Sequence, residues 1–279
     1  MPERFVAACV QMRSGRDPLA NRDAAVAGLR HAAAQGARYI QTPEMTSLLE
    51  RNRARLFEIV TDEVSDPTLA ALCQTARETG TFVHVGSLAV RTGDRVANRA
   101  FLIDPQGAIV AAYDKVHLFD VDLPSGESWR ESATYVGGSC AVLAETGLAT
   151  FGLSICYDIR FAALYRGLAE AGAEVLTAPA CFTRQTGEAH WHVLQRARAI
   201  ETGSFMISAA QGGTHEDGRE SYGHSLIVDP WGRILAEGGT EPGVILAEID
   251  LALVADARAR VPALRNARPF TVERVAARS

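Results

Sequence analysis

Apolar positions along this chain fall into short compact runs separated by stretches of helical periodicity, and the alternation continues nearly to its end. Residues 5–10 are an unbroken apolar run of strand length, the pattern of a strand covered on both faces. A helical pattern over 21–35 follows, then Gly36 and a short strand at 38–41. Asp66 before Pro67 is an N-cap signal, and it predicts a helix over 67–78 and a strand over 82–90. Beyond the middle of the chain the pattern predicts strands over 148–155, 175–178, 205–209, 224–228 and 244–249, with helices over 161–171 and 188–201. In the last helix Val193, Leu194, Ala197 and Ile200 fall on one face and read as its buried side.

Two segments repeat a design. FLIDPQGAIVAAYD and SLIVDPWGRILAEG each set Asp-Pro-x-Gly between apolar runs. Proline presets a turn and glycine supplies a positive φ, so each is a predicted hairpin. Their recurrence hints at two similar halves. Strands alternating with helices give an α/β fold built in layers. The chain of 279 residues can bury a large core, and its 47% hydrophobic and 22% charged content is that of an ordinary globular protein. No linker, low-complexity tract or apolar run of membrane-helix length interrupts it. A net charge of −5 and scattered arginines argue against nucleic acid or an anionic membrane as partner. No secretion signal is evident, and five cysteines without a Cys-x-x-Cys pair read as reduced thiols, so a cytoplasmic protein is expected.

Composition also singles out one residue. Of 28 Lys plus Arg, Lys115 in AAYDKVHLFD is the one lysine. A compact ammonium and a planar guanidinium are not interchangeable, so a point charge is a candidate requirement here. Glu44, Lys115 and Cys156 each follow a predicted strand, where α/β folds gather ligands. A thiol needs a base or cation beside it to become a nucleophile, and an ammonium can hold the oxyanion that attack creates. Plainer readings remain open from spacing alone: Glu44 as a turn cap, Lys115 paired with Asp114, Cys156 as packing. No His-x-x-x-His spacing and no phosphate-loop glycine pattern occurs, so no metal and no cofactor is expected, and the seven histidines read as core or supporting groups.

TPEMTS, YDKVHLFDVDLP and GLSICYDIRF, in that order, closely resemble the Glu, Lys and Cys motifs of the nitrilase superfamily of carbon–nitrogen hydrolases, and the resemblance runs over residues 4–270. It implies a four-layer α-β-β-α sandwich, one domain over residues 1–279, and a homodimer or higher homo-oligomer. It also implies catalysis by Glu44, Lys115 and Cys156 through a thioester, with the Tyr157 amide at the oxyanion. Glu131, in WRESATYVGG, matches a second glutamate beside the lysine. Arg160 matches an arginine that faces the substrate carboxylate in the small-acid amidases; an ion pair with Asp158 or Glu174 is its structural alternative. Phe182 and Thr186 match pocket-lining positions. Within that branch the resemblance leans toward hydrolysis of deaminated glutathione over ω-amidase action on α-ketoglutaramate. A non-catalytic scaffold that kept the fold is the reading from another class.

Overall fold

The structure, a computed structural model, describes residues 4–123 and 126–276. Its two large sheets carry one topology twice. In the first, the strand Arg4–Gln11 pairs in parallel with Tyr39–Gln41, and that with Phe82–Thr92; the hairpin Arg95–Ile103 and Ile109–Asp114 adds on antiparallel. In the second, Thr150–Leu153, Val175–Thr177 and Phe205–Ser208 are the parallel trio, and the hairpin Leu226–Val228 and Ile234–Glu237 adds on antiparallel. Each sheet has one more antiparallel edge strand, Gly243–Asp250 on the first and Val142–Glu145 on the second. The repeated hairpins thus occupy equivalent places, with Gly107 at φ 78° and Gly232 at φ 82° in their turns.

Alternation along the strands sets the layers. Phe5, Ala7, Cys9 and Tyr39 point into the space between the sheets and pack with Phe151, Leu153 and Val175 of the second; the rings of Tyr39 and Phe151 stack at 4.5 Å. Ala8, Val10, Ile40 and Val83 point the other way, onto α1 (Pro18–Ala34) and α3 (Pro67–Thr79), which follows α2 (Arg53–Ile59). The helix at Pro67 begins as the sequence predicts, with Asp66 accepting from a first-turn amide, whereas α1 begins at Pro18, three residues before its predicted start, where Asp17 caps it. On the far side, α4 (Ala162–Glu170) and α5 (Arg184–Thr202) cover the second sheet. The result is the four-layer α-β-β-α sandwich.

One predicted face is only half right, since Leu194 packs against the core but two of its companions do not. Val193 and Ile200 of α5 are exposed, and the helix buries Thr186, Gly187, Trp191, Gln195, Arg198, Ala199 and Thr202 instead. Among the described residues most of the inward polar groups are hydrogen-bonded, the Gln195 Nε2 amide apart: Ser208 Oγ donates to Gln195 Oε1 at 2.9 Å, Arg198 Nε donates to the Ile159 carbonyl at 2.9 Å, and Trp191 Nε1 donates to the His224 carbonyl at 2.8 Å. A buried polar side chain with its partners in place costs little, so hydrophobic periodicity alone does not locate the buried face. The helix also starts four residues earlier than its pattern suggests.

Candidate active site

Three strand ends converge between the sheets. After Tyr39–Gln41 the chain turns at Pro43, and Thr46 Oγ1 closes the turn on the Pro43 carbonyl at 2.7 Å. Met45 has φ 56° and is held by its amide on Ser87 Oγ at 2.9 Å. Gly86 is required beside it, because a Cβ there would strike the Thr42 carbonyl. These bonds fix Glu44. Lys115 follows Ile109–Asp114, its amide bound to the Asn98 carbonyl at 3.0 Å. Cys156 opens the tight turn Cys156–Arg160 just past Thr150–Leu153, with its amide on the Pro179 carbonyl at 3.0 Å. Its φ of 48° lies in the left-handed region, a conformation that costs about 1–3 kcal/mol and persists where neighbours enforce it.

Asp158 is the enforcing group. It accepts from the Ile155 amide at 2.9 Å, the Tyr113 hydroxyl at 2.7 Å and the His117 amide at 3.0 Å. One buried carboxylate therefore ties the residues flanking Lys115 to the residue before Cys156. Its role is structural, holding the two segments together.

The charged set is compact and almost dry, with Glu44 4%, Lys115 2% and Cys156 7% exposed. Lys115 Nζ donates to Glu44 Oε1 at 2.9 Å and to Glu131 Oε2 at 2.9 Å. Asn98 Nδ2 donates to Glu44 Oε1 at 2.9 Å and to Glu131 Oε1 at 3.1 Å. The Cys181 amide takes Glu44 Oε2 at 2.8 Å, and the Phe119 amide takes Glu131 Oε2 at 2.6 Å. Asp114 is committed to Arg99 at 2.6 Å, which removes it as the lysine's partner.

Electrostatics define the resting state. Burial pushes the Glu44 carboxyl up, but the Lys115 charge, with hydrogen bonds from Lys115, Cys156 and Asn98, holds it below its ordinary value. Burial pushes the Lys115 ammonium down, and Glu131 and Glu44 more than restore it, so it stays charged well above neutrality. The Cys156 thiol is driven well up by burial and by the Glu44 carboxylate, against the pull of Lys115. The set therefore rests as carboxylate, ammonium and neutral thiol, a base beside its proton donor.

The three open onto a cavity of about 310 Å³. Glu131, Tyr157, Phe182 and Thr186 also line it, as do Met45, Leu48, Leu49, Glu50, Arg51, Arg53 and Leu56 from the segment after Glu44. The Tyr157 amide is among the first donors of the Cys156 turn and has no acceptor within it. Thr186 spends its hydroxyl on Thr183 Oγ1 at 2.7 Å. Arg160 is outside the lining. Its guanidinium sits 5.3 Å from the Phe182 ring centroid and 5.9 Å from that of Tyr157, with Nη1 3.2 Å from His190 Nδ1. It forms no ion pair among the described residues; Glu174 accepts from the Thr150 amide instead.

Sequence reasoning missed Asn98, Arg219 and Trp129. A lone asparagine inside the strand Arg95–Ile103 was the available signal for the first; Trp129 sits in the three-residue strand Ser128–Arg130, too short to carry a pattern, and Arg219 lies in a loop. It also missed a surface trio: His192 Nε2 and His224 Nδ1 both approach Glu237 Oε1, at 2.9 and 2.8 Å. These three are the one group among the described residues whose donor atoms could close on a metal ion, and they already satisfy one another. All five cysteines are free.

Sheets, helices and the buried carboxylate–ammonium–thiol set define an α-β-β-α hydrolase class. Residues 6–259 match the family model of carbon-nitrogen hydrolase, and the chain belongs to that family, as an amide-cleaving enzyme. It is 40% identical over 247 residues to the deaminated glutathione amidase of Mus musculus, covering 86% of this chain and 76% of that one. Its fold superposes on the C. elegans NitFhit protein with a TM-score of 0.89 and 32% identity, over 95% of this chain and 65% of that chain. It also matches a mutant of the amidase from Nesterenkonia sp. AN1 at a TM-score of 0.78 and 26% identity, over 92% and 98%. That structure shows the Michael addition of acrylamide at the active-site cysteine.

Proposed function

We propose that the chain hydrolyses the amide bond of a small carboxylate substrate, deaminated glutathione, through a thioester on Cys156. The observation that carries this reading is the contact of Glu44, Lys115 and Cys156 at the floor of one cavity. The kinship with the mouse enzyme supports the substrate, and the acrylamide adduct of the Nesterenkonia amidase supports a cysteine nucleophile.

Glu44 takes the thiol proton as sulfur attacks the carbonyl carbon. The carbonyl π electrons move to oxygen, where Lys115 and the Tyr157 amide receive the negative charge. Protonated Glu44 then gives the proton to the leaving nitrogen, the C–N bond breaks and the free amine departs. Water, deprotonated by Glu44, attacks the thioester; the acid leaves and the sulfur recovers its proton. Glu131 and Asn98 act as positioning residues for Lys115 and Glu44. Arg160, beside Phe182, supplies a cation for the keto-acid carboxylate, and Phe182 and Thr186 shape the acyl pocket. No resident metal or cofactor enters the scheme.

The enzyme is further read as a single hydrolase domain acting in the cytoplasm as a homodimer or higher homo-oligomer. Among the described residues no helix is long and apolar enough to cross a membrane. Exposed Val193, Ile200 and Trp231 support self-association, with Ile200 against the turn glycine next to Trp231.

The test is a single-turnover experiment with deaminated glutathione and, in parallel, α-ketoglutaramate. Wild type is expected to prefer the first and to show a covalent acyl adduct on the peptide holding Cys156 by mass spectrometry; Cys156→Ala is expected to show neither turnover nor adduct. Turnover by that variant would sink the nucleophile, and a preference for α-ketoglutaramate would shift the reading to ω-amidase.

A further inference from the structure

One wall of the cavity is cationic, built from Arg51 and Arg219. Arg219 lies largely buried there, and its guanidinium makes one hydrogen bond among the described residues, from Nη1 to Cys181 Sγ at 3.4 Å. Sulfur is a weak acceptor. Among the described residues its buried Nε–H has no acceptor, and the nearest carboxylate, Asp217, stands at 3.9 Å, beyond hydrogen-bonding range. Arg51 stands at the same place: its Cζ is 4.5 Å and that of Arg219 4.4 Å from the centroid of Trp129. Arg51 reaches Glu127 at 3.3 Å and the shared Asp217 at 3.7 Å, and it keeps much of its surface open. All three side chains line the cavity that holds Cys156.

Position gives this wall its meaning. Cys181 connects it to the reacting centre: its amide holds Glu44, and its sulfur receives Arg219. A guanidinium taken out of water without a hydrogen-bonded anion is costly, and a carboxylate matches its fork. A primary amide of a keto acid brings a single carboxylate, on the acyl side. A substrate whose leaving amine is a dipeptide brings another, up to about 7 Å beyond the scissile nitrogen when extended.

We propose that Arg219 and Arg51, braced on the Trp129 ring, form a carboxylate subsite for the leaving group, so that the preferred substrate is a secondary amide whose departing amine ends in a carboxylate. This rests on the amidase reading above and narrows it. In this reading Arg160 serves the acyl half of the substrate, and Arg219 with Arg51 serves the amine half. The subsite selects against a primary amide because ammonia as leaving group brings no carboxylate to this wall.

The test measures binding by calorimetry in the inactive Cys156→Ala protein. Deaminated glutathione is compared with its analogue carrying a C-terminal carboxamide in place of the terminal carboxylate. A charge-assisted contact of this kind predicts a preference of about tenfold or more for the carboxylate. That preference is expected to collapse when Arg51→Gln is added, and again with Arg219→Gln; Arg51 is exposed enough that its replacement leaves the fold intact. Equal binding of the two ligands, binding of neither, or a preference surviving both substitutions overturns the subsite. Turnover by wild type reports separately. Carboxylate preference without cleavage would retain the subsite and discard the amidase assignment, whereas cleavage without preference would do the reverse.

Discussion

Two carboxylates converge on a single nitrogen at Lys115, with contacts of 2.9 Å to Glu44, and 2.9 and 3.2 Å to Glu131. An ammonium can offer its three protons to such a cluster, whereas a guanidinium spreads five over a rigid plane and needs more room than a side chain 2% exposed possesses. This is the physical reason for one lysine among 27 arginines' worth of positive charge. Lys115→Arg is therefore expected to fail almost as badly as Lys115→Ala, with kcat down by about 10²–10³ for loss of one oxyanion donor. The alanine variant makes a second, sharper prediction. The proposed mechanism needs Glu44 ionised, so kcat/KM is expected to fall as pH drops through its lowered pKa. Without the lysine, burial dominates and that pKa rises; the acid limb of the pH profile must move to higher pH. An acid limb left in place would show that Lys115 does not hold the carboxylate charged.

Among the elements, those with local signals were legible. Strand 82–90 and helix 67–78 are seen as Phe82–Thr92 and Pro67–Thr79, because an apolar run and an Asp-Pro start are properties of a few adjacent residues. The outward turn of Val193 and Ile200 in α5 was not legible, since it depends on partners such as Ser208 and Ile159 that lie elsewhere in the chain. Self-association through that face predicts that Val193→Glu with Ile200→Glu yields a smaller species in sedimentation than wild type; an unchanged mass would place any interface elsewhere. The twin hairpins permit a finer comparison. Both turn glycines have positive φ, so alanine at either pays about 1–2 kcal/mol for the left-handed backbone. At Gly107 the new Cβ would also stand 2.6 Å from the Cys73 carbonyl, whereas at Gly232 it meets the flexible end of Ile200 at 2.6 Å. Gly107→Ala should therefore lower Tm more than Gly232→Ala in parallel thermal melts.

For the whole molecule, Glu44, Lys115 and Cys156 were legible as three strand-end residues, and the resemblance supplied their roles. Their meeting was not legible, because it requires the two sheets to face each other with Glu44 on one and Cys156 on the other. The same packing buries His84 in the first sheet and sets a property of the entire fold. Burial pushes its imidazole down to about 3. The unfolded chain takes up that proton near pH 6.5, so its stabilising contribution is complete above that pH and is lost as pH falls toward the folded value. Stability should drop by about 1.4 kcal/mol per pH unit from this group alone. The lowered carboxyl of Glu44 acts in the same direction, but only in the carboxylate range below, and His215, also lowered by burial, adds to the upper window. Urea unfolding at pH 7, 6 and 5 of wild type and His84→Gln separates these contributions. Between pH 6 and 5 the variant is expected to lose the slope of close to one proton that wild type has in excess; parallel lines would mean that His84 titrates normally and that the interior around it is wetter than its burial implies.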